Sequence, residues 1–549
     1  MPDNDHATHS VPADVSVQDA YWRYAALAVL AVGAAIRLWV WSWPLDRLLP
    51  TFVADDTFYY SQIAKNLLAG HGLSFDGVIE TNGFHPLWMI PTLLVTAVLG
   101  DDPTRVLRGL LLLEIAFGAA GAWLLFTIAR RHVAPRVAFA PVLAVLFWAL
   151  NPFVLGTEMM GVEAPLALVT HLTALLLYLD WRTEADSNRR LIAIGAALGL
   201  AFLSRTDHGL LGVIVLSFIV LRPVEGATGA DAWRRRWQRA WRVGVTAWAV
   251  VLPWLAFNLA KFGTIWQDSG KVLAFRGREA VTDETVSALD SLTASFRQGF
   301  YDQFLRLTGG VSVFWIVLGI GVALGLVFAV RGRGEKVAGR VPWPMVLFAT
   351  FIWGFYSLYF GTQKFWYFPP ITALMALLIA RVGAFIPHAF TGRTARRVAI
   401  GVTFVFVGAN LALNIPKVID RGFHPWQNVY LQVSREVASG QANWIGPDDV
   451  IGAFNSGIIG AYAGRRVVNL DGVVNPRILE AMKEKRFVQA LREMGVTVVI
   501  DHQGVIVLYQ QWSAPDAFKG FKLLHKYETP VSAGDVIAVR VPPAKEDAS

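Results

Sequence analysis

Long apolar segments limit what this chain can fold into more than any other feature of its sequence. An α-helix needs about 20 consecutive apolar residues to cross the hydrocarbon core of a bilayer. Eleven segments approach that length, near residues 22–44, 106–129, 137–156, 164–179, 191–204, 209–221, 242–260, 311–330, 342–359, 367–386 and 398–414. Hydrophobic residues make up 54% of the 549 residues and charged residues only 16%, so the chain is far more apolar than a soluble domain. The sequence therefore predicts a polytopic α-helical membrane protein with about 11 transmembrane helices.

The loops between these segments differ in their content of Lys and Arg. The basic loops are 130–136, 181–190, 222–242, 331–340 and 391–397. Basic loops of membrane proteins stay in the cytoplasm, so this set is predicted to be cytoplasmic. The net charge of +8 then reflects topology rather than binding to nucleic acid. The alternation holds only if residues 85–100 do not cross the bilayer, which predicts a re-entrant or surface-lying helix there.

The two ends of the chain are predicted to lie outside the membrane. Residues 1–20 are polar and lack the basic n-region of a cleavable signal, which predicts a cytoplasmic tail. Residues 21–415 form the predicted membrane domain, with a first external loop at 45–105. Residues 416–549 combine predicted short strands, such as "VTVVID" and "GVIVLY", with the helical pattern of "NPRILEAMKEKRFVQALREMG". They predict an extracytoplasmic α/β domain that caps the membrane domain.

A glycine-rich turn in this C-terminal region, "FNSGIIGAYAG", invites comparison with a phosphate-binding loop. Its spacing matches neither a dinucleotide-binding motif nor a P-loop, so nucleotide binding is not predicted. The chain also contains no cysteine, which excludes disulfides, cysteine metal sites and thiol catalysis.

Two adjacent carboxylates, Asp55 and Asp56, follow the first apolar segment in "FVADDTFYYSQIAKNLL". Adjacent side chains on a helix diverge, so the two carboxylates are expected to have different roles. One would take a proton from an incoming hydroxyl while the other orients a neighbouring group or a cation. The alternative is a helix cap, because carboxylates stabilise a helix N-terminus.

Two more groups of side chains are predicted on the same outer face. Arg205 and Asp207 in "SRTDHG" follow an apolar helix, at a depth where charges face a cavity or a partner. The arginine would hold a lipid-linked phosphate with its planar fork; the alternative is an internal ion pair with Asp207. Lys364 lies beside Trp366 and Tyr367 in "TQKFWYFPP", a combination suited to a phosphate and a sugar. The alternative for these rings is the aromatic belt of a bilayer interface.

Three further residues of the outer loops have a structural and a functional interpretation. His85 in "TNGFHPLW" is predicted to shape a turn rather than to bind a metal, and Glu158 and Glu163 in "GTEMMGVE" either begin a helix or serve the site. No spacing of His, Asp and Glu in the chain fits a metal site.

Together these motifs resemble the GT-C superfamily of membrane glycosyltransferases. The segments that carry the resemblance are "ADD" after the first span, "YYSQIAKNLLAGHGLSFDG", "TNGFHPLW", "LAFLSRTDHGLL" and "KFWYFPP". The resemblance covers roughly residues 20–415. Within the superfamily, the sequence is similar to bacterial relatives of the protein mannosyltransferases and of the mycobacterial cell-wall arabinofuranosyltransferases, and the C-terminal domain fits the arabinosyl branch.

The resemblance implies an inverting glycosyltransferase with a polyprenyl-phosphate sugar donor that enters from the outer leaflet. It implies that the catalytic base is Asp55 or Asp56, of which the sequence leads us to prefer Asp55. It also implies that Arg205 and Lys364 bind the donor phosphate. Candidate substrate-binding residues are His85, Asp207, Trp366, Tyr367 and Glu163. No cofactor is implied as a requirement, although some members of the superfamily use a divalent cation.

The implied enzyme is a multi-pass protein of the bacterial cytoplasmic (inner) membrane, with its active site and C-terminal domain on the extracytoplasmic side. Its partners would be the bilayer, a polyprenyl-phosphate-linked arabinofuranose or mannose, and a polysaccharide, lipid or protein acceptor. The alternative is a membrane transporter or a flippase of lipid-linked glycans. That class predicts interrupted helices, internal repeats or ionisable residues near the bilayer midplane. Because the charges of this sequence lie mainly at helix ends, the transferase is favoured.

Overall fold

The architecture is given by a computed structural model that describes residues 13–183, 186–282, 287–295, 339–357, 364–390, 392–513, 518–529 and 534–543. The predicted span at 311–330 lies outside the described residues. In chain order the α-helices are α1 (Ala13–Trp41), α2 (Leu45–Thr51), α3 (Thr57–Leu68), α4 (Pro86–Leu99), α5 (Pro103–Ile128), α6 (Ala140–Leu150), α7 (Pro152–Thr157), α8 (Ala164–Thr183), α9 (Asn188–Ser204), α10 (Gly209–Leu221), α11 (Gly229–Phe262), α12 (Asp268–Thr282), α13 (Ala288–Ser295), α14 (Trp343–Phe355), α15 (Pro369–Gly383), α16 (Ile386–Ala389), α17 (Arg393–Arg421), α18 (Gln427–Ala438), α19 (Gly457–Tyr462), α20 (Pro476–Lys483), α21 (Phe487–Glu493) and α22 (Gln503–Ser513).

Several of these helices have the length and apolar character of membrane spans. Among the described residues, six qualify: Ala20–Trp41, Pro103–Val133, Ala164–Thr183, Gly229–Phe262, Pro369–Ala389 and Arg393–Asp420. Shorter apolar helices occur at Pro86–Leu99, Ala140–Leu150, Thr206–Leu221 and Trp343–Phe355. The α-helical membrane character predicted from the sequence is thereby confirmed, whereas the number of crossings stays a prediction.

The helix α4 occupies the region that was predicted not to cross the bilayer. Its 14 residues give a length of about 21 Å, which is shorter than the hydrocarbon core of about 30 Å. A proline at its first position, Pro86, begins the helix without losing a backbone hydrogen bond. The helix packs against α3 and α5, so it forms one wall of the first external loop.

Close packing between α9 and α11 depends on two glycines one helical turn apart. A Cβ on Gly195 would lie 2.4 Å from the carbonyl oxygen of Val243, and one on Gly199 would lie 2.9 Å from that of Ala247. Small residues spaced four apart let helix backbones approach closely in membrane proteins. This pair fixes α9, whose C-terminal end leads directly into the loop that carries Arg205.

The C-terminal region contains one five-stranded sheet with the order β2-β1-β3-β5-β4. The strands are β1 (Ile451–Ala453), β2 (Val467–Asn469), β3 (Val498–His502), β4 (Lys522–Tyr527) and β5 (Val536–Arg540). The strand β1 pairs in parallel with β2 and β3, while β5 runs antiparallel to β3 and β4. The carboxyl ends of β1, β2 and β3 therefore lie at one edge, where polar loops meet.

One of the predicted strands in this region was wrong. The run "GVIVLY" lies within the helix α22 rather than in a strand. Ile506 and Tyr509, three residues apart, are buried, whereas Val507 and Leu508 between them are exposed. This is the spacing of a helix face, and a short apolar run can fit either structure until its packing partners are known.

The sheet domain packs against the first external loop through a shared apolar core. Phe58 of α3 and Phe75 of the same loop belong to one buried cluster with Ile458 of α19. A Cβ on Gly460 would lie 2.6 Å from the ring of Phe75, so the helix and the loop are in direct contact. The loop that carries Asp55 and Asp56 is thus enclosed between the membrane helices and the C-terminal domain.

Candidate active site

Asp55 caps a helix of the C-terminal domain. Its buried carboxylate accepts hydrogen bonds from the backbone N–H groups of Gly457 at 2.8 Å and Ile458 at 2.7 Å. Glycine is required at the first of these positions because a Cβ there would lie 2.1 Å from the carbonyl oxygen of Asp55. Burial raises the pKa of Asp55 to about 7, although both amide hydrogen bonds lower it. Asp55 is thus a helix cap, but for a helix 402 residues further along the chain.

The backbone amides of the "FNSGIIGAYAG" turn are occupied by carboxylates. Phe454 and Asn455 donate their N–H groups to Oδ2 of Asp501 at 3.0 and 2.8 Å, and the two donors that follow belong to the cap made by Asp55. A phosphate-binding loop keeps such amides available for its ligand. The geometry therefore agrees with the absence of a nucleotide-binding motif in this turn.

Asp56 points away from that cap, toward a cluster of charged side chains. It is half-buried and precedes α3, but no described residue of that helix donates a capping hydrogen bond to its carboxylate. Its charged neighbours are Lys364, Asp471, Glu163 and Arg276. Burial is the main reason that the pKa of Asp56 rises to about 6; the cation of Lys364 opposes the rise and the carboxylate of Asp471 adds to it. Asp56 is therefore a partly open carboxylate that can accept a proton near neutral pH.

A second loop holds the acidic pair from both sides. The carbonyl oxygen of Met160 accepts hydrogen bonds from the N–H of Ala54, at 3.0 Å, and from the hydroxyl of Thr57. The next residue, Gly161, has a φ of +81°, a conformation that favours glycine. Its N–H donates to Oε2 of the buried Glu114 at 2.7 Å. The backbone on each side of Asp55 and Asp56 is thus tied to the loop between α7 and α8.

Arg205 lies in a network of buried ionisable side chains. Its guanidinium donates to both carboxylate oxygens of Asp207, at 3.1 and 2.7 Å, and to Oε1 of Glu163 at 2.5 Å. It also donates to the hydroxyl of Tyr356 at 3.2 Å. Because two carboxylates already neutralise this arginine, the geometry favours the internal ion pair over a phosphate ligand.

His85 joins the same network from the first external loop. Its Nε2 lies 3.6 Å from Oε1 of Glu163, and the hydroxyl of Tyr60 donates to Oε2 of Glu163 at 3.0 Å. Burial lowers the pKa of His85, which favours the neutral imidazole. The fold thus brings His85, Glu163, Arg205 and Asp207 together, although His85 and Asp207 are 122 residues apart in the sequence.

Lys364, Trp366 and Tyr367 border this network. Lys364 is exposed, and its ammonium lies 5.6 Å from the centre of the Trp366 ring. Tyr367 stacks on Tyr356 at 4.3 Å and lies 4.7 Å from the guanidinium of Arg205. Both Trp366 and Tyr367 are buried within the protein, so these rings do not form a belt at the bilayer surface.

Glu158 occupies a separate buried site between the membrane helices. It pairs with Arg37 at 2.5 Å and accepts a hydrogen bond from the indole N–H of Trp148 at 2.9 Å. Arg37 also donates to the carbonyl oxygens of Gly33 and Ala149. These contacts join α1, α6 and the loop after α7, so Glu158 has a structural role.

Sequence reasoning missed two residues of the cluster around Asp56. Arg276 comes from α12, a segment that carries no recognisable motif. Asp471 follows β2 in "NLDG", at the carboxyl end of a parallel strand. Ligand sites of α/β sheets are common at such ends, and this was the only available signal for Asp471.

A metal site is not evident in the described parts of the chain. No group of three or more His, Asp or Glu side chains among those residues is arranged to hold a metal ion. The expectation that no cofactor is required stays a prediction.

Comparisons with known families divide the chain in the same way as its fold. The profile of the family described as "Dolichyl-phosphate-mannose-protein mannosyltransferase" matches residues 85–257. A domain family of unknown function, DUF8728, matches residues 426–539. Comparison with curated protein sequences gives no significant match.

Solved structures share the whole architecture. ArnT from Cupriavidus metallidurans, solved with bound undecaprenyl phosphate, has 13% identity and a TM-score of 0.53, with 94% of this chain and 98% of that chain covered. The oligosaccharyltransferase AglB from Archaeoglobus fulgidus, solved with an inhibitory peptide and a dolichol-phosphate, has 14% identity and a TM-score of 0.57, with 95% and 76% covered. The chain shares the fold of these membrane glycosyltransferases, and part of it matches the mannosyltransferase family. The predicted resemblance to the GT-C superfamily is confirmed.

These matches leave the branch of glycosyltransferase open. The arabinofuranosyltransferase AftD from mycobacteria has 14% identity and a TM-score of 0.43, with 94% of this chain and 40% of AftD covered. This likeness carries no assignment to the arabinosyl branch. The transporter or flippase alternative is not favoured by these matches.

Proposed function

We propose that this protein is an inverting glycosyltransferase that moves a sugar from a polyprenyl-phosphate donor to a hydroxyl of a cell-envelope acceptor, with Asp56 as the catalytic base. The observation that carries the proposal is the unequal environment of the two adjacent carboxylates. Asp55 is buried and caps α19 with both oxygens, whereas Asp56 is half-buried and faces charged side chains. The preference for Asp55 drawn from the sequence is therefore replaced by Asp56.

The donor assignment is supported by the relatives. ArnT binds undecaprenyl phosphate and AglB binds a dolichol-phosphate in their structures, and both share the fold of this chain. The family that matches residues 85–257 is described by its dolichyl-phosphate-mannose substrate. A polyprenyl chain would lie among the apolar helices while its phosphate reaches the loops at their ends.

Lys364 is the basic residue best placed for the donor phosphate. Its ammonium is exposed beside Trp366 and is an electrostatic neighbour of Asp56. Arg205, the other predicted phosphate ligand, is engaged by Asp207 and Glu163. In this proposal Arg205 orders the loop that carries Tyr367, and Lys364 stabilises the negative charge that develops on the departing phosphate.

The reaction is a single displacement at the anomeric carbon. The acceptor oxygen forms a bond to that carbon as its proton moves to Asp56. The bond between the carbon and the donor phosphate oxygen breaks, and polyprenyl phosphate leaves with the electron pair. A pKa of about 6 keeps most of the Asp56 carboxylate deprotonated above pH 7, which is the state a general base requires.

The location follows from the same proposal. The acidic pair, the Arg205 network and the C-terminal domain would lie on the extracytoplasmic side of a bacterial cytoplasmic membrane, opposite the basic loops. The active site would then receive its lipid donor from the outer leaflet. Mannose and arabinofuranose are the two sugars to test first, the former because of the matching family and the latter because of the sequence resemblance.

The test is sugar transfer by the purified full-length protein. Polyprenyl-phosphate mannose and polyprenyl-phosphate arabinofuranose serve as donors, and octyl glycosides of the same sugars serve as acceptors. Asp56→Asn should lower kcat by at least about 100-fold and leave donor affinity unchanged. Asp101→Asn, which removes an exposed carboxylate of the same external loop, is the control and should be as active as wild type. Full activity of Asp56→Asn would refute the proposal.

A further inference from the structure

We propose that Asp471 of the C-terminal domain and Arg276 of α12 form the subsite that binds the acceptor, and that this acceptor is a glycan. The inference rests on the proposed function, because it assigns one side of the same active site. Neither residue belongs to the motifs that carry the GT-C resemblance.

Asp471 reaches the active site from the end of β2. Its Oδ1 accepts a hydrogen bond from the N–H of Val473 at 2.8 Å, which fixes the carboxylate in a turn. Its Oδ2 lies 3.5 Å from the hydroxyl of Tyr59, which is three residues after Asp56 and therefore one helical turn away. That distance is long for an O–H···O hydrogen bond, so Tyr59 holds Oδ2 only weakly.

Arg276 approaches the same carboxylate from α12. Its Nη2 donates to the main-chain oxygen of Asp471 and lies 4.0 Å from Oδ2 of that residue. Its guanidinium lies 4.8 Å from the ring of Tyr509 in α22. This cation–π contact holds the guanidinium plane in place. The side chains of Arg276 and Asp471 are 11% and 14% exposed, so both border solvent instead of being sealed in the core.

The charged neighbours of Asp56 come from two parts of the protein. Glu163 belongs to the loop between α7 and α8 and pairs with Arg205. Asp471 and Arg276 come from the C-terminal domain and from α12. Because a lipid donor needs the apolar helices, the acceptor is assigned to the second group.

The chemistry of the pair favours a polyhydroxylated acceptor. A carboxylate can accept hydrogen bonds from two neighbouring hydroxyls, and a guanidinium donates to ring and hydroxyl oxygens in fixed directions. A peptide or a simple lipid offers one hydroxyl at a time, whereas a sugar offers several on one face. The competing interpretation is a tether, in which the Arg276–Asp471 pair only holds α12 against the C-terminal domain.

A second ion pair in the chain provides a matched control for the tether interpretation. Asp76 of the first external loop pairs with Arg466 of the C-terminal domain at 2.7 Å. This ion pair also joins the two parts of the protein, but Asp76 is not among the charged neighbours of Asp56. A variant of Asp76 therefore reports what the loss of an interdomain ion pair does without any effect on a ligand.

The experiment measures transfer to octyl mannoside and octyl arabinofuranoside by the full-length protein. Asp471→Asn should raise the KM for the glycoside by about 10-fold or more, as expected for loss of a charge-assisted hydrogen bond, with donor affinity unchanged. Asp76→Asn should leave that KM within about twofold of wild type. Binding of the two glycosides is followed in parallel by saturation-transfer NMR, with a decrease expected in Asp471→Asn.

Three results would overturn the inference. They are an unchanged KM in Asp471→Asn, an equal rise of KM in Asp76→Asn and Asp471→Asn, and no saturation transfer from the wild-type protein to either glycoside. The first two would establish the tether. Failure of the proposed function has a different signature, because Asp56→Asn would then retain transfer whatever the KM of the Asp471 variant.

Discussion

Replacing Asp55 with asparagine should separate the two members of the acidic pair. The carboxylate of Asp55 holds the N–H groups of Gly457 and Ile458 at 2.8 and 2.7 Å. An asparagine presents one oxygen and one NH2 group in the same space, so one of the two backbone donors loses its partner. The C-terminal domain should therefore dock less tightly on the first external loop, while Asp56 remains in place to act on the acceptor.

The size of the effect expected for Asp55→Asn follows from the loss of the helix cap and from the pKa of Asp55. Loss of a good helix cap lowers stability by about 1–2 kcal/mol. Burial raises the pKa of Asp55 from 3.8 to about 7 in the folded protein, so the folded state binds the proton more tightly than the unfolded chain. The contribution of Asp55 to the stability of the folded state is therefore greatest below pH 4 and falls as the pH rises toward 7, by about 4 kcal/mol across that window. Asparagine does not titrate there, so this pH dependence should disappear in Asp55→Asn.

Hydrogen–deuterium exchange of the segment 454–462 measures docking directly. After correction for the intrinsic exchange rate, protection in the wild-type protein should fall between pH 5 and pH 8. Protection in Asp55→Asn should be lower at pH 5 and nearly independent of pH, and Asp101→Asn should follow the wild type. A variant that keeps the wild-type slope would show that Asp55 does not link the domains, and the reasoning would be refuted.

Three further predictions test the surroundings of the site. Gly161→Ala should lower the thermal midpoint of unfolding by several degrees and reduce the folded yield. The reason is that φ of Gly161 is +81° and the new Cβ would lie 2.4 Å from the Thr57 side chain. Gly212→Ala, whose new Cβ meets open space, should leave the midpoint and the yield unchanged. The rate of transfer should fall as the pH drops through about 6, because protonation removes the base Asp56, and a flat profile from pH 5 to 8 would contradict this role. Arg37→Met should destabilise the membrane region by about 3–5 kcal/mol, since it leaves a buried carboxylate unpaired; an unchanged midpoint of unfolding in detergent would argue against the ion pair.

The features that could be predicted from the sequence are those that depend on the residues of a single segment. Long apolar segments and basic loops indicate membrane helices because burial in lipid and retention of charge are properties of single segments. The short α4, with proline at its start, could be recognised for the same reason. The adjacent carboxylates drew attention to the first external loop without any knowledge of their partners.

The sequence is least informative where the partner of a side chain decides its role. Arg205 looked like a phosphate ligand, but Glu163, 42 residues earlier, neutralises it together with Asp207. The run "GVIVLY" became a helix because Ile506 and Tyr509 face the same apolar core. These outcomes depend on contacts between distant segments, which local patterns do not contain.

The sequence by itself determined that this chain is a membrane protein of many helices, and it indicated the loop after the first span as the candidate site. Only the tertiary structure decided which of Asp55 and Asp56 is open to a substrate. The two residues are chemically identical neighbours, and they differ because α19 places two unpaired backbone N–H groups against one carboxylate and leaves the other facing Lys364 and Asp471. A buried helix end needs a partner for those N–H groups, and the fold supplies it from a loop 402 residues away.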